Sequence, residues 1–153
     1  MKHFYITFFI LFSIATQSQV VINELDTDTP STDQLEIIEL LTTPETSLDG
    51  YVLVFFNGSD SGNDSSYLAL DLDGLVSDSN GIVLLGSNNV SPVPDFILFD
   101  STIQNGADAI AIYQGNASDW PDGTQATTTN LIDALVYDTN DSCLLYTSPS
   151  PRD

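Results

Sequence analysis

After residue 19, the apolar residues of this chain fall into short runs, and most gaps between runs carry turn-forming residues. The runs are Val20–Glu24, Leu35–Thr42, Tyr51–Asn57, Tyr67–Leu72, Ile82–Leu85, Phe96–Phe99, Ala107–Gln114 and Leu131–Tyr137. Between them lie Asp49-Gly50, Asn57-Gly58, Asp73-Gly74, Asn80-Gly81, Asn105-Gly106 and Asp122-Gly123. Short strands at this spacing predict a sandwich or barrel. No stretch keeps a 3.6-residue apolar period between caps, so little helix is expected.

Alternation refines the picture. Tyr51–Phe56 is apolar on both faces, which predicts a central strand. In Ala107–Gln114, Ala107, Ala109, Ala111 and Tyr113 share one face, and Asp108, Ile110, Ile112 and Gln114 share the other. The small alanine face is expected to pack under a second sheet.

Charge narrows the chemistry. The chain has 22 Asp and Glu, and only Asp153 lies outside residues 19–142. That segment holds no Lys, Arg, His or Cys. A serine nucleophile would lack its usual base. The usual Cys and His zinc ligands are missing. No cation is present to displace counterions from phosphate, so direct nucleic-acid binding is not expected. An internal Lys or Arg salt bridge is impossible, and no disulfide can form within the segment. Its stability must come from packing, with a bound metal as the other candidate contribution.

The two ends read differently from the middle. Residues 1–18 have the order of a signal peptide: Lys2 and His3, an apolar run from Phe4 to Ala15, then Thr16 and Ser18 at −3 and −1 of a cut before Gln19. The run is shorter than the roughly 20 residues that span a bilayer. Residues 143–153, from Cys143 to Asp153, resemble a translated sequencing adapter. They contain the chain's one Cys, its one Arg and two of its seven Pro. The expectation is a domain at 19–142, truncated, with the natural protein continuing past Ser142. The expected location is secreted or at the cell surface.

Four motifs occur in order: Val20-Val21-Ile22-Asn23-Glu24-Leu25, Leu35-Glu36-Ile37-Ile38-Glu39-Leu40, Leu48-Asp49-Gly50-Tyr51-Val52-Leu53 and Asn105-Gly106-Ala107-Asp108-Ala109-Ile110-Ala111-Ile112-Tyr113. Together they resemble the lamin-tail domain in its exported bacterial form, over about residues 20–138. Ile37 stands where that family often carries an aromatic. The resemblance implies an all-β, immunoglobulin-like β-sandwich. It also implies an accessory role, as on secreted nucleases, phosphatases and surface proteins. The chromatin contacts of nuclear lamin tails do not transfer, because they need a basic surface.

Several residues are candidates for a site. Asp26, Asp28 and Asp33, with Thr27, Thr29, Ser31 and Thr32 among them, offer the oxygen ligands that Ca²⁺ takes. The competing reading is a solvated loop of Asx-turns. Asp71, Asp73 and Asp78 read as turn residues. Glu36 and Glu39 should point to opposite faces of a strand, which argues against a glycosidase pair between them; Glu24 and Glu36 could meet across neighbouring strands. Trp120, beside Pro121 and Gly123, is a candidate for stacking on a sugar or for capping the core.

The expected function is a non-catalytic accessory, adhesion or scaffold module of a longer exported protein carrying a hydrolase or nuclease domain downstream. Its expected partners are protein or polysaccharide at the cell surface. The alternative is a calcium-dependent carbohydrate-binding module.

Overall fold

A computed structural model of the chain describes residues 19–28, 32–59 and 61–137. The signal peptide and adapter-like tail read from the sequence lie outside the described residues. Eight strands form: β1 (Val21–Asp26), β2 (Ile37–Leu41), β3 (Tyr51–Asn57), β4 (Ser65–Asp71), β5 (Ile82–Ser87), β6 (Phe96–Leu98), β7 (Asp108–Gln114) and β8 (Leu131–Tyr137). Each grows from one of the eight apolar runs. One turn of 3₁₀ helix spans Ala117–Asp119. Among the described residues, no helix is long and apolar enough to cross a membrane.

The strands make two sheets of four, ordered β1-β2-β5-β6 and β4-β3-β7-β8. All pairs are antiparallel except β5 and β6. β1, β2 and β5 take the places of A, B and E, and β4, β3, β7 and β8 those of C′, C, F and G, in an immunoglobulin-like sandwich; β6, parallel to β5, has no counterpart in that order. β3 is central, between β4 and β7, and Val52 to Phe56 are buried on both faces.

The interior is filled by alternate residues of both sheets. Ile22, Ile38, Leu40, Val83 and Leu85 come from the first, and Leu53, Phe55, Ile110 and Ile112 from the second. Burying each such side chain contributes roughly 1.5–3 kcal/mol. The expectation for β7 is therefore reversed: its Ile110 and Ile112 face meets the opposite sheet. In register, Ile110 lies beside Phe55 and Ile112 beside Leu53. A gap of about 10 Å between sheets needs large side chains to fill it, and alanines leave it empty.

Turn chemistry fixes one end of the sandwich. Gly50 and Gly74 have φ of 80° and 83°, a conformation glycine adopts without strain. Gly50 N–H donates to the Asp73 carboxylate at 2.7 Å, and Gly74 N–H donates to Asp49 at 2.7 Å. The two Asp-Gly turns thus brace each other. At the lateral edge, Ile22 N–H of β1 donates to the Asp133 carboxylate of β8 at 2.8 Å, linking the sheets.

Candidate functional site

The candidate metal ligands are Asp26, Asp28 and Asp33. Asp26 ends β1 and is exposed, and Asp28 is exposed. Asp33 is half-buried and engaged elsewhere: its carbonyl accepts Ser101 N–H at 2.9 Å and its carboxylate accepts Asn105 Nδ2 at 3.0 Å. Among the described residues, no group of three His, Cys, Asp or Glu is placed to hold a metal ion. Residues 29–31, between the ligand candidates, lie outside the described set.

Trp120 is buried, at 9 % exposure, and acts as a cap. Its ring lies 4.2 Å from that of Tyr113 and meets the Phe56 ring edge-on at 5.6 Å. It closes a second apolar cluster with Val52, Val54 and Ala111 on the outer face of the second sheet. The alanine face of β7 is thus covered by the chain's own 115–130 segment. Several hydrogen bonds hold that segment down. Tyr113 Oη donates to the Thr127 carbonyl at 2.9 Å, and Ser66 Oγ donates to the Pro121 carbonyl at 3.0 Å. A sugar would find little of this indole to stack on.

The three glutamates separate. Glu36 is fully buried just before β2, and its carboxylate accepts Thr102 N–H at 2.9 Å and Ile103 N–H at 3.0 Å. Burial pushes its carboxyl above the ordinary value, with Asp33 and Asp100 adding repulsion and the two N–H groups opposing the rise. Glu36 therefore pins the β6–β7 connection across the end of the sandwich. Tyr67 and Tyr137 clasp the same connection. Gln104 N–H donates to Tyr67 Oη at 3.1 Å, and Tyr137 Oη donates to the Gln104 carbonyl at 3.2 Å. The cross-strand partner of Glu24 is Glu39, not Glu36.

Glu24 and Glu39 open onto a feature that sequence reasoning missed. A cleft of about 620 Å³ lies on the outer face of the first sheet. Ile37, Ile82 and Leu84 form its floor, the outward-facing alternates of β2 and β5. Val90, Pro92 and Val93 of the β5–β6 connection form a wall, and Leu35 extends it. Four acids line it as well: Glu24, Glu39, Asp78 and Asp95.

The wall depends on Gly86. A Cβ there would lie 3.0 Å from the Glu36 carbonyl oxygen, 3.2 Å from Pro94 Cγ and 3.3 Å from Val90 Cγ2. Glycine in a strand interior marks such a close approach. The signal in sequence is a glycine directly after the apolar run Ile82–Leu85, then Val90 and Val93 amid Asn, Ser and Pro.

Two of the four acids serve local backbone. Asp78 accepts N–H from Asn80 and Ile82, each at 2.8 Å. Chiefly through the Ile82 bond, its carboxyl is held below the ordinary range. Asp95 accepts Leu84 N–H at 2.9 Å. Glu24 and Glu39 sit opposite each other in register, and Glu39 accepts Asn23 Nδ2 at 2.6 Å. Directly opposed like charges destabilise a sheet pair. The arrangement favours an added positive charge and disfavours an added negative one.

No protein-family model, curated protein or solved structure matches this chain.

Proposed function

We propose that this chain is a non-catalytic accessory module of a longer exported bacterial protein, with the architecture of a lamin-tail domain. It serves adhesion or scaffolding by docking a protein at the cell surface. The observation that carries this reading is the apolar cleft on the first sheet, open among the described residues. Leu35, Val93 and Ile97 stay 50 %, 83 % and 47 % exposed on this side of the molecule. Contiguous exposed apolar surface edged by polar groups marks an interaction site. The four ordered motifs and the immunoglobulin-like strand order support the family reading. The leader-like residues 1–18 support export.

The test uses the full chain immobilised on beads and two preparations from bacterial envelopes, one of surface protein and one of polysaccharide. Retention of protein is expected, with loss in a Leu35→Ser/Val93→Ser variant. Retention that ignores this variant overturns the assignment of the face. Retention of polysaccharide alone, abolished by EDTA, would replace the reading with a calcium-dependent carbohydrate-binding module.

A further inference from the structure

Resting on that reading, we propose that the cleft takes an extended, cationic segment of its protein partner. The segment's apolar side chains lie on Ile37, Ile82 and Leu84, and a Lys or Arg reaches Glu24 and Glu39. Three observations lead to this occupant.

First, the acids at the cleft are unmatched in sign. Residues 19–142 contain no cation, so nothing within this segment can neutralise Glu24 opposite Glu39. Cross-strand neighbours of this kind stand about 5 Å apart, close enough for one ammonium or guanidinium to reach both carboxylates. A partner's cation would convert a repulsive pair into an attractive cluster, and electrostatic complementarity of this sort selects partners.

Second, the field of the whole molecule rejects the other occupants. The chain carries a formal charge of −20. A second copy, a nucleic acid or an anionic lipid surface would each bring like charge to an acidic rim, and such juxtaposition suppresses binding.

Third, the lining suits aliphatic side chains better than sugar rings. None of the residues lining the cleft is aromatic, and the floor is Ile and Leu. An extended segment presents its side chains alternately, so apolar residues can face the floor while charged ones reach the rim.

The experiment titrates the full chain with short synthetic peptides that alternate Lys with Val, Glu with Val, or Ser with Val, and with a neutral hexasaccharide. The Lys-Val peptide is expected to bind and the Glu-Val peptide to fail. Glu24→Gln/Glu39→Gln should weaken the Lys-Val complex about tenfold, equivalent to about 1.4 kcal/mol. Raising NaCl from roughly 0.05 to 0.5 M should weaken it as well, because exposed charges are screened. Asp64→Asn/Asp122→Asn removes two exposed charges from the β3–β4 hairpin and the 115–130 segment, and should change affinity less than about twofold. Near-ultraviolet circular dichroism confirms that each variant is folded.

An equal loss in both double variants would reduce the effect to bulk charge and overturn the proposal. Failure of the Lys-Val peptide overturns it too. If the Ser-Val peptide then binds, and Leu35→Ser/Val93→Ser abolishes that binding, the docking face stands and only its cationic occupant falls; if the hexasaccharide alone binds, the protein-docking reading falls as well. If no probe binds, both readings fall.

Discussion

The outer faces of the two sheets have similar raw material and different fates. On the second sheet, Val52, Val54, Phe56, Ala111 and Tyr113 lie beneath Trp120 of the chain's own 115–130 segment. On the first, Ile37, Ile82 and Leu84 stay half-buried in a cleft flanked by acids. The covered face carries aromatic and small residues that interlock with one indole. The open face pairs aliphatic residues with Glu24 and Glu39, which no cation within residues 19–142 answers. An apolar face covered in cis belongs to the stability of the fold. One left open beside opposed carboxylates is a surface arranged for something outside it.

Trp120→Ala should give the largest effect. The substitution strips the cap from the covered face and removes the ring contacts that Trp120 makes with Tyr113 and Phe56. Removal of a buried Trp typically costs about 3–5 kcal/mol. Urea denaturation should show this loss, and limited proteolysis should cut within residues 115–130 before the strands open. A loss below about 1 kcal/mol would mean that the 115–130 segment is a loose lid, and the contrast between the faces would fail.

Glu36→Ala should rank second. It leaves the N–H groups of Thr102 and Ile103 without their acceptor. Each unpaired group costs roughly 1–3 kcal/mol, and relief of the buried charge offsets part of that. A net loss of about 2 kcal/mol at neutral pH is expected.

The pH dependence separates Glu36 from Asp78 in the open cleft. Glu36 is raised above its ordinary 4.5 by burial, so the folded chain binds that proton more readily than the unfolded chain. Its contribution therefore grows as pH falls through its folded pKa toward 4.5. Asp78 is held below its ordinary 3.8, chiefly by Ile82 N–H. Its contribution is present above 3.8 and is lost as pH falls through its folded pKa. Urea midpoints of wild type, Glu36→Ala and Asp78→Asn from pH 7 to 3 should diverge in the first comparison and converge in the second. Parallel curves would count against both assignments.

Gly86→Ala probes how the open cleft is built. Alanine ordinarily gains about 0.5–1 kcal/mol over glycine in a strand interior. Here the new Cβ would lie 3.0 Å from the Glu36 carbonyl oxygen and press on Pro94 and Val90. Overpacking of this kind costs typically 1–3 kcal/mol, so a net loss of about 1 kcal/mol is expected, with the cleft wall displaced. Amide chemical-shift changes should concentrate at residues 86–95. A stabilised protein would show that the wall yields freely.

Much of the fold was legible because its signals are local. Tyr51–Asn57 and Leu131–Tyr137 were bounded correctly from apolar runs and turn residues alone. Two-sided apolarity placed β3 at the centre of its sheet. What failed was long-range. The sequence of β7 shows two faces but not which one meets the opposite sheet; that depends on Phe55 and Leu53, more than fifty residues upstream. Trp120 could be seen as an aromatic beside Pro and Gly, but its burial depends on Phe56 and Tyr113. The cleft joins Glu24, Glu39, Leu84 and Val93, which only the β1-β2-β5 order brings together. The burial of Glu36 was not legible either, because its partners Thr102 and Ile103 lie on a connection between the apolar runs.

The smallest expected effect is the sharpest test of the open face. Leu35 and Val93 are 50 % and 83 % exposed, so water already reaches much of both side chains. Replacing them with serine removes apolar surface that folding buries by about half at Leu35 and little at Val93. Surface changes of this kind stay within about 0.5 kcal/mol. Leu35→Ser/Val93→Ser should therefore melt like wild type and keep its near-ultraviolet signal from Trp120, which belongs to the other sheet. The same two residues line the cleft, so their loss should show in binding while stability stands still. A stability loss above about 1.5 kcal/mol would mean that this face is closed by its own side chains. The two outer faces would then be built alike, and the reason to read the first as a docking surface would disappear.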